Sequence, residues 1–204
     1  MIIIMHRINT IEELKKVPCK YGVEVDIREY GNRLILNHEP HSGGDELKEY
    51  LKYFKHRFII LNIKEAGIEH EVIDLVEKSG ICDYFLLDVE FPFMYRASRI
   101  GNIRKIAVRY SEAEPLELAE AQRGLMDWLW VDTITKLPLT KESYKKIKDM
   151  KYRICLVSPD RWGREKEILP TINYLKREQI IIDAVMTSRE HVEMWESYGG
   201  STEG

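Results

Sequence analysis

The sequence predicts an α/β fold, a compact (β/α)8 TIM barrel. Eight short β-branched or aliphatic segments recur at fairly even spacing, and nearly every one is followed by a helical pattern. Such alternation is typical of parallel strands joined by crossover helices, and eight units in 204 residues point to a closed barrel near the lower size limit for that fold. The predicted strands are IIIM (2–5), VEVDI (23–27), FIILNI (58–63), YFLLDV (84–89), IAVRY (106–110), WLWVD (128–132), ICLVS (154–158) and AVMTS (184–188). An open doubly wound sheet is the alternative, but no Gly-rich dinucleotide loop follows the first strand.

The segments between the strands carry helix signals. Thr10 and Glu13 form a capping-box pattern at the start of TIEELKK. PLELAEAQRG begins with Pro115, a residue that favours the first turn of a helix. EKEILPTINYLKRE continues the same rhythm, and Pro170 is predicted to kink it. These segments supply the helices that the barrel needs between its strands.

One extra element interrupts the alternation after the second strand. The turn signal Tyr30-Gly31-Asn32 is followed by RLILNHE (33–39). This segment is predicted to pair with the second strand as a β-hairpin, with His38 at its far end.

Composition limits the classes of function. Hydrophobic residues make up 44% of the chain and charged residues 32%, as in a globular protein. The net charge of −3 gives no general electrostatic case for nucleic-acid binding, and no apolar stretch approaches the roughly 20 residues of a membrane span. Three scattered cysteines, Cys19, Cys82 and Cys155, predict a reduced, cytoplasmic protein. We predict one barrel domain over residues 1–198 and a flexible tail at 199–204, and the oligomeric state stays open.

The second strand carries two acidic residues on one face. Glu24 and Asp26 alternate with apolar residues, so their Cα atoms lie about 6.5–7 Å apart on the same side of the strand. If both point into the barrel, the like charges require a cation or a shared proton, and a hard divalent ion held by both carboxylates would satisfy them. The alternative is that they face outward and pair with a Lys or Arg. The apolar alternate face favours the inward orientation.

Further polar residues end the strands, where barrel active sites lie. His6 and His38 can exchange protons near neutral pH, although either alone is more often structural. The basic residues Arg7, Lys64 and Arg109 can hold a phosphate, and a salt bridge to a neighbouring acid is the ordinary alternative for each.

The order of these motifs resembles the signature of the glycerophosphodiester phosphodiesterases, within the phosphatidylinositol-phospholipase-C-like phosphodiesterases. The family pattern HRG, ENT, ExD, HD and ExK is similar to His6-Arg7, Asn9-Thr10, Glu24-x-Asp26, His38-Glu39 and Asn62-Ile63-Lys64, which cover the first third of the chain. The family's glycine after His-Arg is Ile8 here, and its third carboxylate ligand is Asn62. An amide oxygen can ligate a hard cation but brings no charge, so weaker metal binding is predicted.

The resemblance implies a phosphodiesterase mechanism and its residues. His6 and His38 would act as general base and general acid on a small or lipid-derived glycerophosphodiester. Arg7 and Lys64 would bind the phosphate. Arg109 is added to this phosphate site from its position at a strand end, and the resemblance does not imply it. The predicted cofactor is Mg²⁺ or Ca²⁺, held by Glu24, Asp26 and Asn62, with Asp88 or Glu90 as a hypothetical source of the missing carboxylate.

Two other functions stay open from the sequence. A catalytically weakened or non-catalytic relative would bind a phosphorylated ligand without consuming it, and Ile8 and Asn62 are its support. A sugar-phosphate isomerase or aldolase on the same barrel would require a base or Schiff-base residue, for which Lys64 is the candidate.

Overall fold

The structure of the protein, a computed structural model, describes residues 1–199. Its strands are β1 (Ile2–Met5), β2 (Gly22–Glu29), β3 (Leu34–Leu36), β4 (Asp45–Glu46), β5 (Phe58–Ile63), β6 (Tyr84–Leu87), β7 (Ala107–Tyr110), β8 (Trp128–Val131), β9 (Arg153–Val157) and β10 (Ala184–Thr187). Its helices are α1 (Ile11–Leu14), α2 (Leu47–Tyr53), α3 (Glu69–Lys78), α4 (Phe91–Arg99), α5 (Leu116–Ala121), α6 (Lys141–Asp149), α7 (Ile168–Arg177) and α8 (Val192–Gly199). Most of the predicted tail lies outside the described residues, and Gly199 ends α8.

Eight of the strands form a parallel ring. β1 pairs with β2 and β10, β2 with β5, β5 with β6, and β7, β8, β9 and β10 follow in order. A parallel bridge between Leu86 and Ile106 joins β6 to the start of β7. The predicted (β/α)8 barrel is therefore confirmed.

The predicted hairpin lies outside the ring. β3 pairs antiparallel with β2, with Ile27 opposite Leu36, and β4 pairs with β3. The strand is shorter than the predicted segment 33–39, because it ends at Leu36. His38 therefore lies in the loop after β3.

Of two helix predictions, the cap at Thr10 is confirmed and the kink at Pro170 is wrong. Thr10 caps α1 as predicted: its hydroxyl accepts the Glu13 N–H, and the Glu13 carboxylate accepts the Thr10 N–H. Pro170 does not kink a helix, because α7 begins only two residues earlier, at Ile168. In the first turn the missing N–H of a proline costs no intrahelical hydrogen bond.

The barrel interior is filled by large side chains below its mouth. Trp128 packs between Phe58 and Phe85, with ring centroids 5.2 and 5.0 Å away. The inward cluster also includes Ile4, Ile60, Leu87, Ala107, Trp130, Cys155, Val157, Ala184 and Met186. A second apolar layer separates the strands from the helices. Within residues 1–199, no helix combines the length and apolar character that a bilayer crossing requires.

We predict that Gly22→Ala lowers the free energy of unfolding by about 1–3 kcal/mol, because overpacking strains a closed interior. A Cβ atom at Gly22 would lie 3.0 Å from both Ile4 Cγ1 and the Phe58 carbonyl oxygen. Urea denaturation measures the change. Gly43→Ala is the matched control, since its nearest contact would be Tyr30 at 4.0 Å. Equal effects of the two substitutions would contradict the tight interior.

Candidate active site

The acidic pair of β2 points into the barrel. Val23 and Val25 pack in the outer apolar layer, and Glu24 and Asp26 alternate with them on the inner face, 1% and 0% exposed. Asn62 of β5 lies in register with Asp26 and is also buried. The inward orientation predicted from the alternation is what the strand adopts.

Amide groups hold both carboxylates in place. The Asn62 side-chain amide donates to Glu24 Oε1 at 2.9 Å, and the Arg7 backbone N–H donates to Glu24 Oε2 at 2.8 Å. The Asn9 side chain donates to Asp26 Oδ2 at 2.9 Å and accepts the Asp26 backbone N–H at 2.9 Å. The segment that follows β1 is thereby fixed above β2, which explains why an asparagine lies three residues after His6.

Lys64 provides a positive charge next to the pair. Its Nζ lies 3.1 Å from Asp26 Oδ1 and 3.8 Å from Asp88 Oδ2, and its side chain is 17% exposed. The ammonium group compensates part of the buried charge. Asp88 therefore lies close to the acidic pair but contacts it through Lys64, while Glu90 is exposed at the start of α4.

His6 lies at the mouth directly above the pair. Its Nε2 is 3.8 Å from Glu24 Oε2 and 3.1 Å from Nη2 of Arg161, a residue that the sequence analysis did not identify. Burial, followed by the positive charges of Arg161 and Arg7, lowers the pKa of His6 to about 2. The imidazole is therefore neutral, and Nε2 accepts the Arg161 N–H.

The backbone after β1 takes a left-handed turn at Arg7. Its φ is +54°, a conformation that is uncommon outside glycine and that occurs frequently at functional sites. Ile8, where the family pattern has glycine, is buried in the outer layer, and its carbonyl accepts the Tyr50 hydroxyl at 2.9 Å. The Arg7 guanidinium stays near the mouth, with Nε 3.9 Å from Asp26 Oδ2.

His38 lies on the open side of the site. Its side chain is 37% exposed, and Nδ1 is 2.8 Å from Glu39 Oε1. The Arg28 guanidinium donates to the His38 carbonyl and holds this loop against the end of β2. His38 is close enough for its charge to contribute to the low pKa of His6, although it does not line the same cavity.

Arg109, predicted to bind phosphate, is engaged by three carboxylates. Its guanidinium lies 2.7 Å from Asp88, 2.6 Å from Glu114 and 2.7 Å from Asp132. These charges raise its pKa against the effect of burial. We therefore assign it a structural role, as a brace between strand ends, and leave it out of the proposed phosphate site.

A cavity of about 370 Å³ joins these groups at the C-terminal ends of the strands. Its opposite wall carries Trp162, whose indole N–H donates to Asp132 Oδ1 at 2.8 Å. The lining residues are His6, Arg7, Glu24, Asn62, Leu87, Asp88, Arg109, Trp130, Asp132, Val157, Arg161, Trp162 and Met186. Arg161 and Trp162 belong to a 3-10 turn after β9, over Pro159–Trp162.

The predicted ligand set fits a hard divalent cation. Asn62 Oδ1 is a buried acceptor without a hydrogen-bond partner, and it lies on the same inner face as both carboxylates. Burial and the charge of Asp26 raise the pKa of Glu24 to about 7, as expected for a carboxylate pair short of countercharge. Among the described residues no group of three His, Cys, Asp or Glu side chains could hold a metal. The predicted set would therefore combine the two carboxylates with the amide oxygen of Asn62. Mg²⁺ is often held by one or two carboxylates and completed by water and phosphate oxygens.

The chain is similar in fold to several solved phosphodiesterase structures, at low sequence identity. No family model matches the chain, and neither does any curated protein. A structure from Galdieria sulphuraria described as a candidate glycerophosphodiester phosphodiesterase matches with a TM-score of 0.70 and 13% identity over 97% of both chains. An Oleispira antarctica phosphodiesterase in complex with the product sn-glycerol-3-phosphate matches with a TM-score of 0.67 and 15% identity, over 98% of this chain and 97% of the other.

A glycerophosphoryl diester phosphodiesterase from Parabacteroides distasonis gives a TM-score of 0.65 and 12% identity, over 96% of this chain and 86% of that one. At these identities the likeness establishes the fold. The chain shares the TIM-barrel fold of these phosphodiesterases over 96–98% of its length.

We predict that Asn62→Asp tightens divalent-cation binding by at least about tenfold, because ligand charge sets the affinity of such sites. Without metal the third carboxylate repels Glu24, so the melting temperature falls in EDTA and recovers with Mg²⁺ or Ca²⁺. Differential scanning fluorimetry with metal titration measures both effects. Asn102→Asp, on the exposed surface, adds the same charge away from the site as a control. Equal metal response in the two variants would contradict this ligand set.

We predict that Arg109→Met lowers the free energy of unfolding by about 2–3 kcal/mol, because three carboxylates lose a charged hydrogen-bond partner. Urea denaturation measures the loss. Arg33→Met is the control, since the Arg33 side chain is 64% exposed and lies 3.9 Å from Glu46, so its loss should cost little. A loss no larger than that of the control would disprove the bracing role.

Proposed function

We propose that the chain is a glycerophosphodiester phosphodiesterase and hydrolyses a glycerophosphodiester or a related phosphodiester. The supporting observation is the cavity in which His6 and Arg7 lie above the buried pair Glu24 and Asp26, at the end of the barrel where active sites occur. The fold shared with phosphodiesterases agrees with the motif order of the first third of the chain.

In the proposed mechanism, His6 and His38 move the protons. Nε2 of His6 takes the proton of a substrate hydroxyl next to the phosphodiester as the oxygen attacks phosphorus. The bond to the departing alcohol breaks, and His38, on the open side, gives that oxygen a proton. The resulting cyclic phosphate is opened when water adds to phosphorus, with the two proton transfers reversed.

Cationic groups compensate the charge of the phosphodiester. Lys64 and Arg7, both next to Asp26, are suited to contact its oxygens. Glu24, Asp26 and Asn62 would hold Mg²⁺ or Ca²⁺. When bound, such an ion would stabilise the charge that develops on the phosphate oxygens.

The substrate class is proposed from the same chemistry. The Oleispira antarctica phosphodiesterase, which has a similar fold, is described in complex with the product sn-glycerol-3-phosphate. A ligand of that size suits the cavity of about 370 Å³ in this chain. We propose a small or lipid-derived diester for this chain. Its three cysteines are free, in agreement with the proposed cytoplasmic location.

The other two functions gain less support. A binding protein without catalysis would not need His6 in the cavity next to a buried carboxylate pair. A Schiff-base role for Lys64 is disfavoured because its amino group is engaged in an ion pair with Asp26 at 3.1 Å.

We expect His6→Gln and His38→Gln each to reduce turnover of glycerophosphocholine by about 10²–10⁴-fold, the usual contribution of a proton-transfer residue. Release of choline measures turnover, and ³¹P NMR detects the cyclic phosphate. The control is His70→Gln, an exposed histidine in the first turn of α3.

An analogue that lacks the hydroxyl next to the phosphate should not react. Bis-(p-nitrophenyl) phosphate, which has no such hydroxyl, serves as this analogue. No turnover of glycerophosphocholine or glycerophosphoinositol by the folded protein, with or without divalent metal, would contradict the proposal. Stabilisation by glycerol phosphate with no consumption of any diester would favour the binding protein instead.

A further inference from the structure

The basic side chains of the cavity differ in their counterions. Arg109 contacts three carboxylates, and Lys64 lies 3.1 Å from Asp26. Arg161 differs from both: within residues 1–199 no carboxylate lies within ion-pairing distance of its guanidinium. Its Nη2 donates to His6 Nε2 at 3.1 Å, and its Nε is buried without a hydrogen-bond partner. A partly buried guanidinium with so few acceptors is poorly compensated and favours an anionic ligand.

The turn that carries Arg161 is fixed on both sides. The preceding residue, Asp160, accepts the Thr187 hydroxyl at 3.0 Å and the Ser188 N–H at 2.9 Å, so its carboxylate is used at the end of β10. The following residue, Trp162, donates to Asp132 on the opposite wall. Arg161 is therefore held over the cavity, and its neighbouring acid is directed elsewhere.

We propose that Arg161 is a substrate-binding residue whose guanidinium binds the non-bridging oxygens of the phosphate group. This inference rests on the proposed function and adds a phosphate ligand that lies outside the motifs of the first third of the chain. The planar guanidinium can donate two parallel hydrogen bonds to a phosphate, which the single ammonium of Lys64 cannot do.

The contact with His6 gives this binding a second effect. Without a ligand, the Arg161 N–H occupies the Nε2 lone pair of His6. A phosphate oxygen that accepts this N–H leaves the lone pair free to take the proton of the attacking hydroxyl. Phosphate binding to Arg161 would therefore leave His6 free to act as the general base on the bound substrate.

The test measures binding of sn-glycerol 3-phosphate and inorganic phosphate by calorimetry and thermal shift, in EDTA and in Mg²⁺. We expect Arg161→Met to weaken binding at least about tenfold in both, because charge-assisted hydrogen bonds are lost. Arg161→Lys should restore part of the affinity, since it keeps the charge but not the two-pronged geometry. Arg189→Met is the control, an exposed arginine after β10 whose loss should change the dissociation constant by less than about twofold.

Each outcome is decisive for Arg161. Equal phosphate affinity in folded Arg161→Met and wild type, or no phosphate binding by the wild type in either buffer, would overturn the inference. If Arg161→Met fails to fold, unchanged affinity of Arg161→Lys for phosphate would overturn it, and a loss intermediate in size would support it. Diester turnover is measured in parallel. If the Arg161 variants turn over the diester with an unchanged KM, this inference alone is rejected. If the Arg161 variants lose phosphate binding but the wild type does not turn over any diester, only the proposed diesterase activity is rejected.

Discussion

The site depends on one constraint, the burial of two carboxylates side by side inside a closed barrel. Glu24 and Asp26 are almost completely removed from solvent, and charges in that position are costly unless they are paired and hydrogen-bonded. The amides of Asn62 and Asn9 and the ammonium of Lys64 meet that requirement in part. An apolar barrel core would be easier to stabilise, and this cost supports the proposed role of the pair as ligands of a cation.

The arrangement of the mouth follows from how the remaining charges are compensated. Arg109 and Arg161 line the same cavity and carry the same group, yet within residues 1–199 only Arg109 has carboxylates within ion-pairing distance. The first connects strand ends and the second is available to an anion. The role of a basic residue in this protein is set by its counterions more than by its position at a strand end.

The different surroundings of Arg109 and Arg161 could not be predicted from the sequence, whereas the orientation of the acidic pair could. The two-residue period of β2 was sufficient to predict that Glu24 and Asp26 face inward, because a strand permits two faces and one was apolar. The acids around Arg109 come from three separate segments of the chain, so no local pattern revealed them. Arg161 was missed because it follows a strand on a short turn, where the sequence SPDRWG gives no period to interpret. Pro170 was misjudged because the start of α7 could not be fixed to within one turn.

The barrel has one thin seam, between β6 and β7, where a bridge from Leu86 to Ile106 joins the strands. Above that seam, Arg109 of β7 reaches Asp88, the residue after β6, at 2.7 Å, and both side chains are about one-third exposed, at 30% and 33%. An ion pair between side chains thus helps to join β6 and β7, whereas backbone hydrogen bonds join the other neighbouring strands of the ring. Dissolved ions weaken exposed ion pairs and leave buried amide ladders almost unaffected. Added salt should therefore weaken the contact across this seam more than it weakens the hydrogen-bonded pairing of the other strands.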